Sequence, residues 1–437
     1  MSGGLIQLAA YGSQDVYLTT TPEITFFKTV YKRYTNFAME SINQTIDGNI
    51  NFGGNITVVI SRNGDLLGDI VLQLKLFDAS GYIKDSDQMD YCGWIQGVGN
   101  YLVQNTSIEI GGTQIDSQYG KWMDIWSELV LAGSQVNGYG TMVGKNYNEG
   151  VYKPYDTSVE PGNRLFVPLQ YWFCRNPGLA LPLIALQYHE VRLKISFEKF
   201  LNLVVGVKNG EYQQMELNPS LPLPSLNAQE LKIWNTYYFL DTTERRKFAQ
   251  NAHEYLIEQI QSQTGNSLST TQENFIQLNL NHPTKELVFV FNRNNSYAPT
   301  NDFSIGQNDV PNGTPNKFAP LYQFKLVLNG GDRFKERPGE YFRLVQPYDH
   351  HTRIPNNYIY VYSFGLRPEE HQPSGTCNFS RIDSAQLVYI FRNSTGTGSS
   401  DGAPQQNYSA LPTYTVYAPS YNILRIMGGM GGLAYSN

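Results

Sequence analysis

The segment Ile108-Glu109-Ile110-Gly111-Gly112 returns about 218 residues later as Leu326-Val327-Leu328-Asn329-Gly330. In both copies an apolar run ends on a dipeptide that accepts positive φ, which predicts a tight hairpin. Glu40-Ser41-Ile42-Asn43-Gln44 and Glu258-Gln259-Ile260-Gln261-Ser262 repeat at the same offset. Asp69-Ile70-Val71-Leu72 and Lys285-Glu286-Leu287-Val288 repeat at about 216. Three matches at nearly one offset, close to half the chain, imply two similar β domains in tandem.

The rest of the chain fills in that frame. Val191-Arg192-Leu193-Lys194-Ile195-Ser196-Phe197 alternates strictly, so one face is buried and the other solvated. Further strands are expected at 37–46, 55–61, 70–76, 165–168 and 231–240, then at 255–263, 286–291, 322–328, 359–364, 385–391 and 421–426. Trp122, Ile125, Trp126 and Leu129 recur at helical spacing and predict a short amphipathic helix. Asp241-Thr242-Thr243-Glu244 has the pattern of a capping box and opens a helix through Phe248. Residues 205–228, 292–317 and 393–410 are rich in Gly, Asn, Pro and Ser and read as loops. Many strands and long loops fit a sandwich or jelly roll.

Composition narrows the function. The chain has 437 residues, 41% hydrophobic and 16% charged, with a net charge of −6. It lacks the basic excess of a broad nucleic-acid surface, so no direct nucleic-acid binding is expected. Cys92, Cys174 and Cys377 lie far apart and read as free thiols of a reducing compartment. No secretory signal or membrane-length apolar run is seen. His350-His351 lack metal-ligand spacing and read as surface or loop residues, and His189 reads as structural. No nucleophile elbow is present, and Gly428-Gly429-Met430-Gly431-Gly432 lacks the Lys-Ser/Thr of a phosphate loop. Arg245-Arg246-Lys247 reads as a solvated basic cluster. No catalytic group, cofactor or metal is assigned, which points to a structural or binding protein.

Longer stretches carry a family resemblance. They include Ala10-Tyr11-Gly12-Ser13-Gln14-Asp15-Val16-Tyr17-Leu18, the segment from Ile24 to Phe37, Ser61-Arg62-Asn63-Gly64-Asp65 and the run from Pro177 to Val191. Asn281-His282-Pro283-Thr284-Lys285, the run from Gln372 to Asp383 and Leu424-Arg425-Ile426-Met427 extend it through the second half. The chain resembles the major capsid proteins of nucleocytoplasmic large DNA viruses, particularly those of the algal-virus (phycodnavirus, chlorovirus) group. The resemblance implies an all-β double jelly roll, two tandem eight-stranded antiparallel sandwiches with short helices and long loops. It places an N-terminal arm at 1–26, the first roll at 27–241, a connector at 242–253 and the second roll at 254–437. It implies a homotrimeric, pseudo-hexagonal capsomer that tiles an icosahedral shell assembled in the host cytoplasm. The expected partners are the chain itself, neighbouring capsomers, and minor capsid and penton proteins.

The resemblance also implies N-linked glycans on outer tower loops, attached outside the secretory route and not at standard sequons. Asn308 and Asn407 fall near such positions, although the sequence departs from the family in both loops. The sequons at Asn294, Asn312, Asn393 and Asn407 are the other candidates, and Asn407 is the one expected to be modified. The alternatives are a minor capsid paralogue of the same fold and a jelly-roll carbohydrate-binding protein.

Overall fold

The structure, a computed structural model, describes residues 3–147, 153–156, 164–209, 211–269, 272–292, 303, 320–392 and 411–435. Residues up to Phe37 form a unit of their own with two short helices, Gly3–Ala9 and Val16–Thr19. Everything from Ala38 onward is a second unit and contains both sandwiches.

Eight strands build the first sandwich: β1 (Phe37–Asn43), β2 (Asn55–Val59), β3 (Leu66–Lys75), β4 (Val103–Ile110), β5 (Thr113–Tyr119), β6 (Arg164–Pro168), β7 (Val191–Phe197) and β8 (Lys232–Leu240). Eight more build the second: β9 (His253–Asn266), β10 (Asn274–Gln277), β11 (Glu286–Asn292), β12 (Leu321–Leu328), β13 (Gly331–Asp332), β14 (Ile359–Ser363), β15 (Ala385–Phe391) and β16 (Thr413–Met427). The first sandwich has sheets β1-β8-β3-β6 and β2-β7-β4-β5, and the second has β9-β16-β11-β14 and β10-β15-β12-β13. The two orders are the same, strand for strand. This is a double jelly roll.

The local reasons are those the sequence advertises. β7 buries Val191, Leu193, Ile195 and Phe197 and turns Arg192 and Lys194 outward. Its neighbours β2 and β4 pair antiparallel on either side. Both predicted hairpins close with two residues at positive φ, Gly111–Gly112 and Asn329–Gly330, as a right-twisted two-residue turn requires. The helix α1 (Gly120–Val130) follows β5 directly. Helix α2 (Thr242–Gln250) begins at Asp241, whose Oδ1 accepts the Glu244 amide at 2.8 Å. Helix α3 (341–350) is a wide π-helical turn, Tyr341–Val345, continued by Gln346–His350.

Three expectations need correction. Residues 205–228 are not all loop: Val204–Lys208 pairs with Tyr91–Trp94 and with Glu211–Tyr212 in a small extra sheet. Val204, Val205 and Val207 are buried in the first core, to which the packed rings of Phe52, Phe77, Trp94 and Phe200 also belong, a tertiary setting invisible in a Gly- and Asn-rich run. The repeat in β3 is one residue out of step. Leu72 points into the first core and Val288 points out of the second, so the facing equivalent of Val288 is Val71. A one-residue slip exchanges the faces of a strand. His351, expected at the surface or in a loop, has a buried side chain.

Gly120 starts α1 against the backbone of the turn before β4. A Cβ there would overlap the carbonyl oxygens of Asn100 and Val103. Gly120→Ala is expected to cost about 1–3 kcal/mol, since a crowded backbone cannot step aside as a side chain would. An unchanged thermal midpoint would contradict this.

Candidate functional site: the seam between the two sandwiches

The side chains that act in concert here hold the two jelly rolls together. Helix α1 turns Met123 into the core of the first roll. Its opposite face carries Trp122, Ile125, Trp126 and Leu129 onto the outer surface of sheet β9-β16-β11-β14. There they meet Ile260, Val288, Val290, Ile359, Val361 and Tyr417. Trp122 is 1% exposed and stacks obliquely between Trp126 and Tyr417, with ring centres 5.4 and 5.2 Å away. β11 is buried on both faces for this reason: Leu287, Phe289 and Phe291 fill the second core, while Val288 and Val290 fill the seam. Its unbroken apolar run was the available sequence signal for a doubly covered strand.

Charged groups frame this apolar contact. Glu258, 4% exposed, accepts Arg175 from the first roll at 2.7 Å and Lys285 from its own roll at 2.8 Å. The Arg175 guanidinium lies 5.2 Å from the Trp126 ring, and Lys285 lies 5.3 Å from that of Tyr421. Burial pushes the Glu258 carboxyl up, but Arg175, His371 and Lys285 together hold it well below the usual carboxylate range. On the other side Lys145 bridges Asp124 at 2.7 Å and Glu128 at 2.8 Å. Arg353 of the second roll closes on Glu128 at 2.9 Å. Its Nε also donates to the Glu128 carbonyl at 2.8 Å. Two carboxylates and two cations balance. Burial raises Asp124, whereas Glu128, with both Lys145 and Arg353 beside it, is lowered.

The open edge of β9 is also covered by the first roll. Asp116 Oδ1 accepts the Ile260 amide at 3.2 Å, and Gln259 donates to the Ile115 carbonyl. Burial pushes the Asp116 carboxyl up to about 7, against these hydrogen bonds and the nearby Arg175. Lys121 reaches across to Asn292 Oδ1 at 2.5 Å.

His351 departs from the surface role expected of it. Its side chain is 0% exposed, with Nε2 2.8 Å from Glu286 and Nδ1 2.9 Å from Glu369. The chain turns the imidazole inward because two carboxylates wait there, which adjacency to His350 could not reveal. Burial opposes the imidazolium, yet Glu286 and Glu369 outweigh it and raise the pKa from 6.5 to about 9. The triad therefore adds its full stability below pH 6.5 and loses it as pH rises through about 9. Wild type should be more stable than His351→Gln at pH 6, with the gap narrowing above pH 9 in pH-resolved thermal melts. A gap that widened with pH would contradict this assignment.

His189 Nδ1 lies 3.1 Å from the Gly431 carbonyl and serves structure. Arg245 pairs with Asp65, and Lys247 with Glu244. The run from Gly428 forms a hairpin at positive φ that returns Met430–Leu433 onto β16. Cys92, Cys174 and Cys377 are free. Among the described residues no group of three His, Cys, Asp or Glu side chains is placed to hold a metal ion. Asn294, Asn308, Asn312, Asn393 and Asn407 all lie outside the described residues. The strand ends around them are described: Asn292 pairs with Thr413, and Leu321 with Phe391.

Comparison with known proteins agrees with this architecture. A family model described as major capsid protein N-terminus matches residues 25–241. A second, large eukaryotic DNA virus major capsid protein, matches residues 244–432. The major capsid protein of Pyramimonas orientalis virus is 42% identical, and that of Paramecium bursaria Chlorella virus 1 is 41% identical, each over 100% of both chains. A chain of the PBCV-1 virus capsid superposes with a TM-score of 0.74 at 38% identity, covering 94% of this chain and 100% of that one. The Faustovirus major capsid protein, with a TM-score of 0.69, 13% identity and coverage of 97% and 96%, shares the fold. Fold and matches together define a double jelly-roll viral capsid protein. The chain belongs to the major capsid protein family of large eukaryotic DNA viruses. Its role is structural, as a component of the virion capsid.

Proposed function

We propose that this chain is the principal shell subunit of its virus, and that three copies close into a pseudo-hexagonal capsomer. The observation that carries this reading is the identity of strand order in two sandwiches fixed by one buried seam. A chain that presents two near-equivalent modules gives six around a threefold axis, and such a unit tiles a flat facet. The domain limits that go with this are an arm at 1–26, rolls at 27–241 and 254–437, and a connector at 242–253. The arm exposes Leu18, Ile24 and Phe26. It suits a contact with minor capsid and penton proteins on the inner side, in shells assembled in the host cytoplasm.

Quantitative mass spectrometry of purified virions tests the principal role. This chain should dominate the virion by mass, and a few copies per particle would contradict it. The second reading, a minor paralogue, has one supporting observation. Acanthamoeba polyphaga mimivirus contributes both a capsid protein 1 and a probable capsid protein 4 to the relatives, at 30% and 32% identity. The glycan reading centres on Asn407, followed by Asn308, Asn312, Asn393 and Asn294. The paired strand ends Asn292–Thr413 and Leu321–Phe391 support it, since both candidate segments are bounded by them. Glycopeptide analysis of virion protein should find residues 393–410 modified, and an unmodified peptide would contradict it.

A further inference from the structure

Both halves of the seam, a helix face and a sheet face, recur elsewhere in the chain. Helix α3 follows β12 and β13 as α1 follows β4 and β5. Phe342 of α3 enters the second core as Met123 of α1 enters the first. At the spacings that place Ile125, Trp126 and Leu129 after Met123, α3 carries Leu344, Val345 and Tyr348 after Phe342. The α1 side chains are buried in the seam, whereas Leu344, Val345 and Tyr348 are 40%, 41% and 76% exposed. α3 thus has the same apolar face, left exposed by the described residues of its own chain.

The receiving surface is duplicated too. In the seam α1 sits on Val288 paired with Val361 and Tyr417, and on Val290 paired with Ile359. In the first roll the same lattice positions are Val71 paired with Pro168 and Trp234, and Gln73 paired with Phe166. These point out of sheet β1-β8-β3-β6, and Val71, Phe166, Pro168 and Trp234 are only half-buried. A groove of about 370 Å³ lies where this face meets the seam, with Val71 and Pro168 on one side and Asp69 and Arg175 also in its lining. Trp126 and Val130 of α1 and Glu369 of the second roll line it too, so the open face is continuous with the existing seam.

We infer that α3 of one copy docks on the outer face of sheet β1-β8-β3-β6 of a second copy, repeating between chains the contact α1 makes within one. The inference rests on the self-assembly reading above and names its surfaces. The contact is head-to-tail: each chain offers one α3 face and one sheet face. Such heterologous contacts close into rings when the rotation allows. By this equivalence Tyr341 meets Trp234 of the next copy as Trp122 meets Tyr417 within the chain.

Two blocked chains test it, with mass by light scattering and fold by circular dichroism. Leu344→Asp with Tyr348→Asp removes the helix face, and Val71→Asp removes the sheet face. If the double substitution fails to fold, Leu344→Ser with Tyr348→Ser replaces it. The expected result is a threefold drop in mass for each blocked chain. Mixing the two at equal concentration should give a species of two chains, because one intact face of each remains. A trimer retained by either blocked chain, or no pairing on mixing, would overturn the inference while leaving assembly itself intact. A monomeric wild type would instead contradict the assembly reading, and this inference with it.

Discussion

Replacing Glu258 with alanine should destabilise the protein by about 3–5 kcal/mol, the range for removing one partner from a buried ion pair. Glu258 is a carboxylate shared by Arg175 and Lys285, at 2.7 and 2.8 Å. Its loss strands two cations where water is largely excluded, and one of them belongs to the other roll. Lys285→Met should cost less, because Arg175 and Glu258 remain paired. Urea titrations of the three proteins give the order directly. Lys285→Met falling below Glu258→Ala would contradict the assignment of Glu258 as the hub.

Trp122→Ala should cost a similar amount, about 3–5 kcal/mol for a large aromatic lost from a packed interior. Its effect should differ in kind. Trp122 belongs to the seam and to neither sandwich core, so its removal weakens coupling and leaves each roll packed. Calorimetry should then show the melting of the two rolls drawing apart into separate transitions. Phe289→Ala, by contrast, opens the second core itself and should lower the transition of that roll. If Trp122→Ala kept one sharp transition with a midpoint near wild type, the seam would not be the element that joins the rolls.

Much of this fold was legible in the residues. The alternation in β7, the paired hairpin turns and the cap at Asp241 are local signals, and the structure uses each as written. Even the apolar stripe of α1 was visible, although its partner was not. What could not be read depends on distant chain. Val204–Lys208 becomes a strand because Tyr91–Trp94, far off in sequence, lies beside it. His351 is buried only because Glu286 and Glu369 converge on it from separate segments. The seam was the least legible part, since Arg175, Glu258, Lys285 and Arg353 are ordinary charges until the two rolls meet. The nearest clue was β11, too continuously apolar for a strand with one wet face.

In the proposed capsomer the fused double roll is the repeating third of a threefold unit. Light scattering coupled to size exclusion, on the purified full-length chain, tests this most directly. A single species at three times the 49.4 kDa chain mass is the predicted result. A chain that remains monomeric as its concentration is raised would contradict it.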